Sequence, residues 1–470
     1  MPPGEHIGIV MPASPTAARQ LWAIVLIAVV LKALLIFGLL PYLHANFAQD
    51  YNAKLFPDGY DQIAWNIVQG NGYRLFPDSS PTMLRTPGFV LLLALLFSMF
   101  GKSLPAIQIL NLMFSSATAV LIHTLARKAG ISRTAALIAS LIFFFHPGVV
   151  IADSRGGPES MLTLCLVASL LLAVMAVEQH TWSSFAIVGV LNGFALLVKS
   201  SVAPVLPVFF LYRVWKTPDP FVRKRILAGM AIFGIATAVV MSPWIVRNYR
   251  LSGEFVPTMT VTGLAAFQGA YLIKHLDSDR EQFELLNDAA KEQIAVANAM
   301  GLRLRGSIFG RTAAGHSGYD AGESTYDPGI PFFPQFHLVE DEVSFYRELG
   351  RRAVEDYRRD PKLLFKGVVH NTLAFWTGGK TQRAMLLNAA VALPLLALAG
   401  IGLGAGLRKG PEVFQFFLII IAFMVPHLFI LAMARYYIPL VPFVAILAAI
   451  PLAKCFERFT SGWHVHRLSW

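Results

Sequence analysis

The chain has 470 residues, 55% of them hydrophobic and only 14% charged, with a formal net charge of +11. A soluble domain carries about 25% charged residues, so this composition excludes an ordinary soluble fold and implies lipid contact. The positive charge comes without a basic–aromatic module. That excludes nucleic acid as a partner and assigns Lys and Arg to cytoplasmic loops and anionic lipid headgroups.

Residues 1–19 read as a cytoplasmic, Pro-containing tail. The apolar run Leu21 to Leu40 is too long for a signal-peptide core and has no small-residue cleavage site, so a retained anchor is expected. Runs of roughly 20 apolar residues cross a hydrocarbon core. About ten spans follow, near 20–41, 105–126, 133–152, 159–178, 183–199, 201–215, 225–247, 383–406, 412–433 and 435–454. The fold class is therefore an α-helical integral membrane protein. Segment 87–101 is apolar but short and opens on Pro87-Gly88, which suits a helix lying at the interface.

Basic residues set the orientation. Arg127, Lys128 and Arg133 flank one turn, and Arg213, Lys216, Arg223, Lys224 and Arg225 fill another. Arg408 and Lys409 mark a third, and Lys454, Arg458 and Arg467 the C-terminal end, 455–470. The positive-inside rule places all of these, and both termini, in the cytoplasm. The N-terminal membrane region, 20–247, then carries an outer loop at 42–104. Region 248–382 also faces outward, before the C-terminal membrane region 383–454. Within 248–382, residues 281–300 and 340–359 read as amphipathic helices, the second dense in Glu and Arg and so a solvated face. Residues 311–334, rich in Gly, Pro and Ser, read as a loop.

The outer loop holds the acids Asp50, Asp58, Asp61 and Asp78. If the segment is helical, Asp58 and Asp61 share a face, and one of such a pair can serve as a general base. The competing reading makes Asp58 an N-cap for the apolar-periodic run that follows. Lys199, Arg247 and Arg435 end apolar runs on the outer side, against the charge bias, whereas Arg250 reads as loop. Convergent cations there suit a phosphate headgroup; each taken singly also suits snorkelling to lipid. Asp153, Arg155 and Glu159 occupy a short outer turn, where acids could bind an acceptor or a cation. His146, His370 and His427 lack metal-ligand spacing, and Cys165 and Cys455 lie in apolar stretches, so no metal site is expected. No phosphate-binding P-loop, dinucleotide fingerprint or nucleophile elbow occurs.

Three stretches carry a resemblance. The first runs from Asp58-Gly59-Tyr60 through Gly70-Asn71-Gly72-Tyr73 and Arg85-Thr86-Pro87-Gly88-Phe89 to Phe100-Gly101. The second is Ser242-Pro243-Trp244-Ile245-Val246-Arg247-Asn248-Tyr249 with Gly253-Glu254-Phe255-Val256-Pro257. The third is Ala434-Arg435-Tyr436-Tyr437-Ile438-Pro439. In this order the chain resembles GT-C glycosyltransferases, nearest the branch of dolichyl-phosphate-mannose protein mannosyltransferases and the lipid A aminoarabinose transferase. The resemblance implies a GT-C-like bundle with interfacial helices, in the inner membrane, with its active site on the periplasmic face. It implies inverting transfer from a polyprenyl-phosphate-linked sugar to a hydroxyl on a glycan, lipid or protein. It carries the base role to Asp58, although Asp58 lies two residues before Tyr60 where many relatives place the Asp three before; Asp61 and Asp50 stay as rivals. Arg247, Arg435, Arg85 and, more loosely, Lys199 take the donor phosphate, and Tyr60, Asp153 and Glu159 the acceptor side. No cofactor is required, and a divalent cation is left open. A polyprenyl-lipid flippase and a non-catalytic envelope scaffold are the alternatives from other classes.

Overall fold

A computed structural model describes residues 15–47, 57–276, 282–302, 336–379, 381–408 and 411–467. The first part of the N-terminal tail, Asp50, Lys409 and the whole of the loop expected over 311–334 lie outside the described residues. The described chain is helical, without a β-strand. In hydrocarbon every backbone N–H and C=O must be satisfied within the segment, and a helix does this. From the N-terminus come α1 (Pro15–Leu34), α2 (Leu40–Phe47), α3 (Tyr60–Val68), α4 (Pro87–Phe100), α5 (Leu104–Lys128) and α6 (Arg133–Phe145). Next are α7 (Pro147–Asp153), α8 (Glu159–Gln179), α9 (Trp182–Val198), α10 (Val205–Lys216), α11 (Pro220–Ser252) and α12 (Thr262–Lys274). The last are α13 (Gln282–Ala299), α14 (Val339–Arg359), α15 (Pro361–Thr377), α16 (Gln382–Leu407), α17 (Phe414–Met424) and α18 (Val441–Arg467).

Local chemistry sets the boundaries. The side chains of Ser103, Ser132 and Thr381 accept from the backbone N–H of Ala106, Ala135 and Ala384, satisfying donors the helix start leaves open. Pro147 forces His146 out of the helical region and separates α6 from α7 with a 52° bend.

Among the described residues, six helical stretches are long and apolar enough to cross a bilayer: Val25–Leu43, α5, α8, α11, α16 and Ala434–Arg458. Counting the bent α6–α7 pair gives seven, so ten full-length spans are not reached. The shortfall has a cause. The expected span at 412–433 is interrupted at Val425-Pro426 and leaves the helix, and α10 has only 12 residues after the break at Ser200–Pro204, about 18 Å at 1.5 Å per residue. Helix α4, at 14 residues, is likewise short of a crossing.

Helices α8 and α18 form the interior, each with 78% of its apolar window buried, against 11% for α16. At one end, α12 to α15 pack together, with α14 set against the loop before α4. Helix α14 buries Val339, Val343, Tyr346, Leu349 and Ala353 at helical spacing.

Candidate active site

The loop ahead of α3 turns sharply at Asp58 (φ 75°) and Gly59 (φ 76°), two consecutive left-handed residues. Glycine adopts this conformation freely, and Asp is among the few other residues that visit it. Gly59, not Asp58, occupies the N-cap position of α3, and no side chain caps it there. The capping reading of Asp58 therefore fails, because its carboxylate is engaged elsewhere. Arg435, 377 residues away, brings Nη2 to 3.0 Å from Oδ1 and 2.9 Å from Oδ2. Arg85 Nη2 lies 3.8 Å from Oδ1, and Arg85 Nε donates to the Asp58 carbonyl at 2.9 Å. Asp61 faces a different partner, Lys102 Nζ at 2.7 Å. The two carboxylates expected on one face are thus divided between two cations, since the turn takes Asp58 out of the helical register.

The Arg85-Thr86-Pro87-Gly88 motif anchors this corner. Thr86 Oγ1 donates to the Val198 carbonyl at 3.0 Å. A Cβ on Gly88 would lie 2.8 Å from the Leu197 carbonyl, so only glycine lets α4 approach the end of α9 this closely. Lys199, the next residue of that end, holds Nζ 4.6 Å above the Tyr436 ring, and the Arg435 guanidinium is 5.3 Å from the same ring. Arg85 lies 5.2 Å from the Tyr60 ring. Asp58, Tyr60, Arg85, Lys199 and Arg435 therefore converge. Glu159 is electrostatically coupled to both Arg435 and Tyr60. Its carboxylate lies where a Cβ on Gly157 would collide with it.

Arg247 stands beside this cluster, not within it. Its guanidinium lies against the Tyr73 and Trp244 rings, at 5.0 Å and 4.7 Å, which pack edge-on to each other, and Nη1 donates to the Thr82 carbonyl and to Asn248 Oδ1. The Tyr73 hydroxyl donates to the Arg85 carbonyl at 2.9 Å, which joins the two groups. Asp153 is not at the mouth of the turn. It is sealed inside the bundle, with Lys32 Nζ 2.6 Å from Oδ2 and the Ser160 hydroxyl 2.5 Å from Oδ1. A carboxylate at the end of an apolar helix is costly to bury alone, and Lys32 in the first span supplies its counter-charge.

Sequence reasoning missed Lys32, Lys102 and Glu342. Lys32 had a signal, because an ionisable residue inside an apolar span is expensive and marks a partner. Lys102 directly follows Phe100-Gly101 but carries no pattern of its own. Glu342 is hidden by its helix, one Glu among many.

Electrostatics separate the two loop acids. Burial alone would raise the Asp58 carboxyl, but Arg435, Arg85 and Lys199 outweigh it and hold it well below the usual carboxylate range. Burial dominates at Asp61 and raises it, with Lys102 opposing. Burial also pushes the Tyr60 hydroxyl up to about 12, against Arg85, so it stays a hydrogen-bond donor. Among the described residues no group of three or more His, Cys, Asp or Glu side chains could hold a metal ion. The site thus offers the ionised Asp58 carboxylate with Glu159 nearby, a neutral phenol and several cations, a set suited to handling an anionic substrate and a proton together.

The sequence profile of the dolichyl-phosphate-mannose-protein mannosyltransferase family matches residues 84–246. No curated protein matches the chain in sequence. Among solved structures, the fold is similar to the archaeal oligosaccharyltransferase AglB from Archaeoglobus fulgidus, in complex with an inhibitory peptide and a dolichol-phosphate. There the TM-score is 0.54 and the identity 13%, over 97% of this chain and 52% of that one. The apo form of the Archaeoglobus fulgidus enzyme gives 0.52 and 13%, over 94% and 52%. The chain therefore spans about half the length of these proteins. ArnT from Cupriavidus metallidurans bound to undecaprenyl phosphate matches at 0.39 and 12% identity, over 93% and 79%.

Proposed function

We propose that this chain, a GT-C-type membrane protein by its fold and by its family match over residues 84–246, is an inverting glycosyltransferase. It moves a sugar from a polyprenyl-phosphate donor to an acceptor hydroxyl at the outer face of the membrane. The observation that carries this reading is the pairing of Asp58 with Arg435 at a partly exposed site, the two side chains 14% and 29% exposed. An acid that only needed neutralising would not require Arg85 and Lys199 as well.

The chemistry follows from that excess of cations. Arg435 and Arg85 each offer a fork of N–H groups to phosphate oxygens, and Lys199 adds a point charge. A donor phosphate competes with Asp58 for Arg435. As that contact loosens, the Asp58 carboxylate loses its strongest neutraliser and becomes more basic. It then takes the proton of the acceptor hydroxyl while the hydroxyl oxygen attacks the anomeric carbon. The bond from that carbon to the phosphate oxygen breaks, the oxygen keeps the electron pair, and the cations stabilise the charge that develops on it. Attack from the side opposite the phosphate inverts the anomeric centre. Tyr60 and Glu159 lie on the acceptor side of this arrangement. Arg247 reaches the phosphosugar from the Tyr73 side. Asp153 takes no part in contact with substrate. The outer-face orientation is supported by the distribution of Lys and Arg among the short loops, and a lipid donor by the absence of nucleotide sugars on that face.

The test uses the purified full-length protein in detergent with a sugar-labelled polyprenyl phosphate and a hydroxyl acceptor. Transfer with inverted anomeric configuration and release of polyprenyl phosphate is the expected result. Translocation of intact lipid across vesicles, with the sugar–phosphate bond preserved, would instead establish the flippase reading.

A further inference from the structure

Glu342 sits in a charge-dense helix, yet only 2% of it is exposed. Its Oε2 accepts from the Thr82 hydroxyl at 2.7 Å. Its Oε1 accepts from the Met83 backbone N–H at 2.9 Å and the Thr260 hydroxyl at 2.7 Å. Three donors satisfy a carboxylate that would otherwise be expensive to bury. Thr260 N–H also donates to the Met83 carbonyl at 3.1 Å, closing the contact between the two segments.

These segments are the ones that orient Arg247. The Thr82 carbonyl, on the residue whose hydroxyl Glu342 holds, accepts from Arg247 Nη1 at 3.2 Å. The Thr82 N–H donates to the Tyr73 carbonyl at 3.0 Å, so one of the two rings that meet Arg247 is tied to the same residue. Trp244, the other ring, packs edge-on against Tyr73 and donates from Nε1 to the Thr258 carbonyl at 2.6 Å, two residues from Thr260. Apart from its chain neighbour Asn248, the Thr82 carbonyl and the Tyr73 and Trp244 rings that meet Arg247 each lead back to a segment that Glu342 fastens.

We propose that Glu342 is a positioning residue that acts through Arg247. From α14 it fixes the Thr82 carbonyl and, through Thr82, Tyr73, and so holds the guanidinium toward the lipid phosphate. The helices of region 248–382 thereby set the affinity of the phosphate site. The inference rests on the reading of Arg247 as a donor-phosphate ligand, and the experiment separates the two.

The experiment is a double-mutant cycle on the purified full-length chain, with R247A, E342Q and the double variant. The readouts are binding of polyprenyl phosphate alone and the half-saturating donor concentration against kcat. Glu342→Gln should weaken polyprenyl phosphate binding about tenfold, raise the half-saturating donor concentration alike and leave kcat within about twofold. The double variant should bind no worse than R247A, because coupled residues are non-additive where remote ones add. Thr82→Val, which removes the donor to Glu342 and the acceptor of the Leu84 N–H and conserves volume, should fall on the same cycle with a smaller loss; it carries the test if E342Q does not fold. Additive losses, or normal binding in E342Q and T82V beside weakened binding in R247A, would overturn the inference and leave the phosphate reading standing. Normal binding in R247A would remove both.

Discussion

The molecule holds two acid–base pairs of similar length and opposite accessibility. Lys32 and Asp153 meet at 2.6 Å with both side chains 0% exposed, ringed by Ser115, Ser160 and the Phe144 face. Asp58 and Arg435 meet at 2.9 Å, partly exposed, with Arg85 and Lys199 at hand. Distance therefore does not distinguish a structural pair from a chemical one; the surroundings do. The sealed pair has as many charges as it needs and no room for a third ion. The open pair is partly exposed and has further cations, Arg85 and Lys199, about its carboxylate. One pair ties the first span to the α7–α8 turn, and the other, on the reading proposed above, exchanges partners with a phosphate.

Removing one charge from each pair should give opposite phenotypes, and the largest effect is expected on rate. Asp58→Asn keeps size, and Asn tolerates the left-handed turn as well as Asp does. It cannot take a proton. Transfer should fall roughly 10²–10⁴-fold while thermal stability in detergent changes little. Asp61→Asn, which removes the charge facing Lys102, is the matched control. A full loss in Asp61→Asn with activity intact in Asp58→Asn would move the base by one helical turn.

Lys32→Met is the counterpart in the sealed pair. It leaves Asp153 buried without its counter-charge, an error that costs about 3–5 kcal/mol. Unfolding in detergent should shift to lower temperature by that measure, whereas the kcat of the molecules that remain folded should hold. A Lys32→Met protein that is fully stable but inactive would break the comparison, since the buried pair would then belong to the chemistry.

The two pairs also mark what the sequence disclosed. The apolar helices, and the motifs around Asp58, Arg247 and Arg435, were legible because each is local: hydropathy over 20 residues, or a few residues in a row. That Arg435 reaches Asp58 was not legible, since no local rule joins residues 377 apart and the likeness to a family gave the two residues separate roles. The left-handed turn at Asp58 left no signature, because the following apolar positions read equally well as a helix that Asp58 would cap. Short and broken spans account for the difference between about ten expected and six or seven of full length, for a physical reason. Hydropathy sees apolar length, but prolines such as Pro204 and Pro426 interrupt the helix without lowering it. Glu342 was illegible because burial of one acid in a charged helix depends on what the fold sets against it.

A smaller effect is expected from the cation of the open pair. Arg435→Ala removes one charge-assisted contact to the donor phosphate, about 1–3 kcal/mol, read as a raised half-saturating donor concentration. Arg435→Lys should restore only part, because the guanidinium fork is lost. Equal donor use in both variants and the parent would reduce Arg435 to an anchor.

The smallest effect is a displacement along the pH axis. The folded Asp58 carboxyl lies well below its ordinary range of about 3.9, because Arg435, Arg85 and Lys199 outweigh the cost of burial. A depressed carboxyl contributes stability that is present above the unfolded value and is lost as pH falls through the folded one. In the parent, the acid limb that Asp58 sets on kcat/KM should therefore lie below the ordinary carboxylate range. Arg435→Ala deletes the largest neutralising charge and leaves the burial, so the limb should move to higher pH, while Asp58→Asn should lack it. The profile is measured from neutral pH downward for all three proteins at a donor concentration well below half-saturation. Were the limb to stay in place in Arg435→Ala, the group that titrates would not be the carboxylate that Arg435 holds. Exchange of partners at Asp58 would then lose its physical basis, even if Arg435 still bound the phosphate.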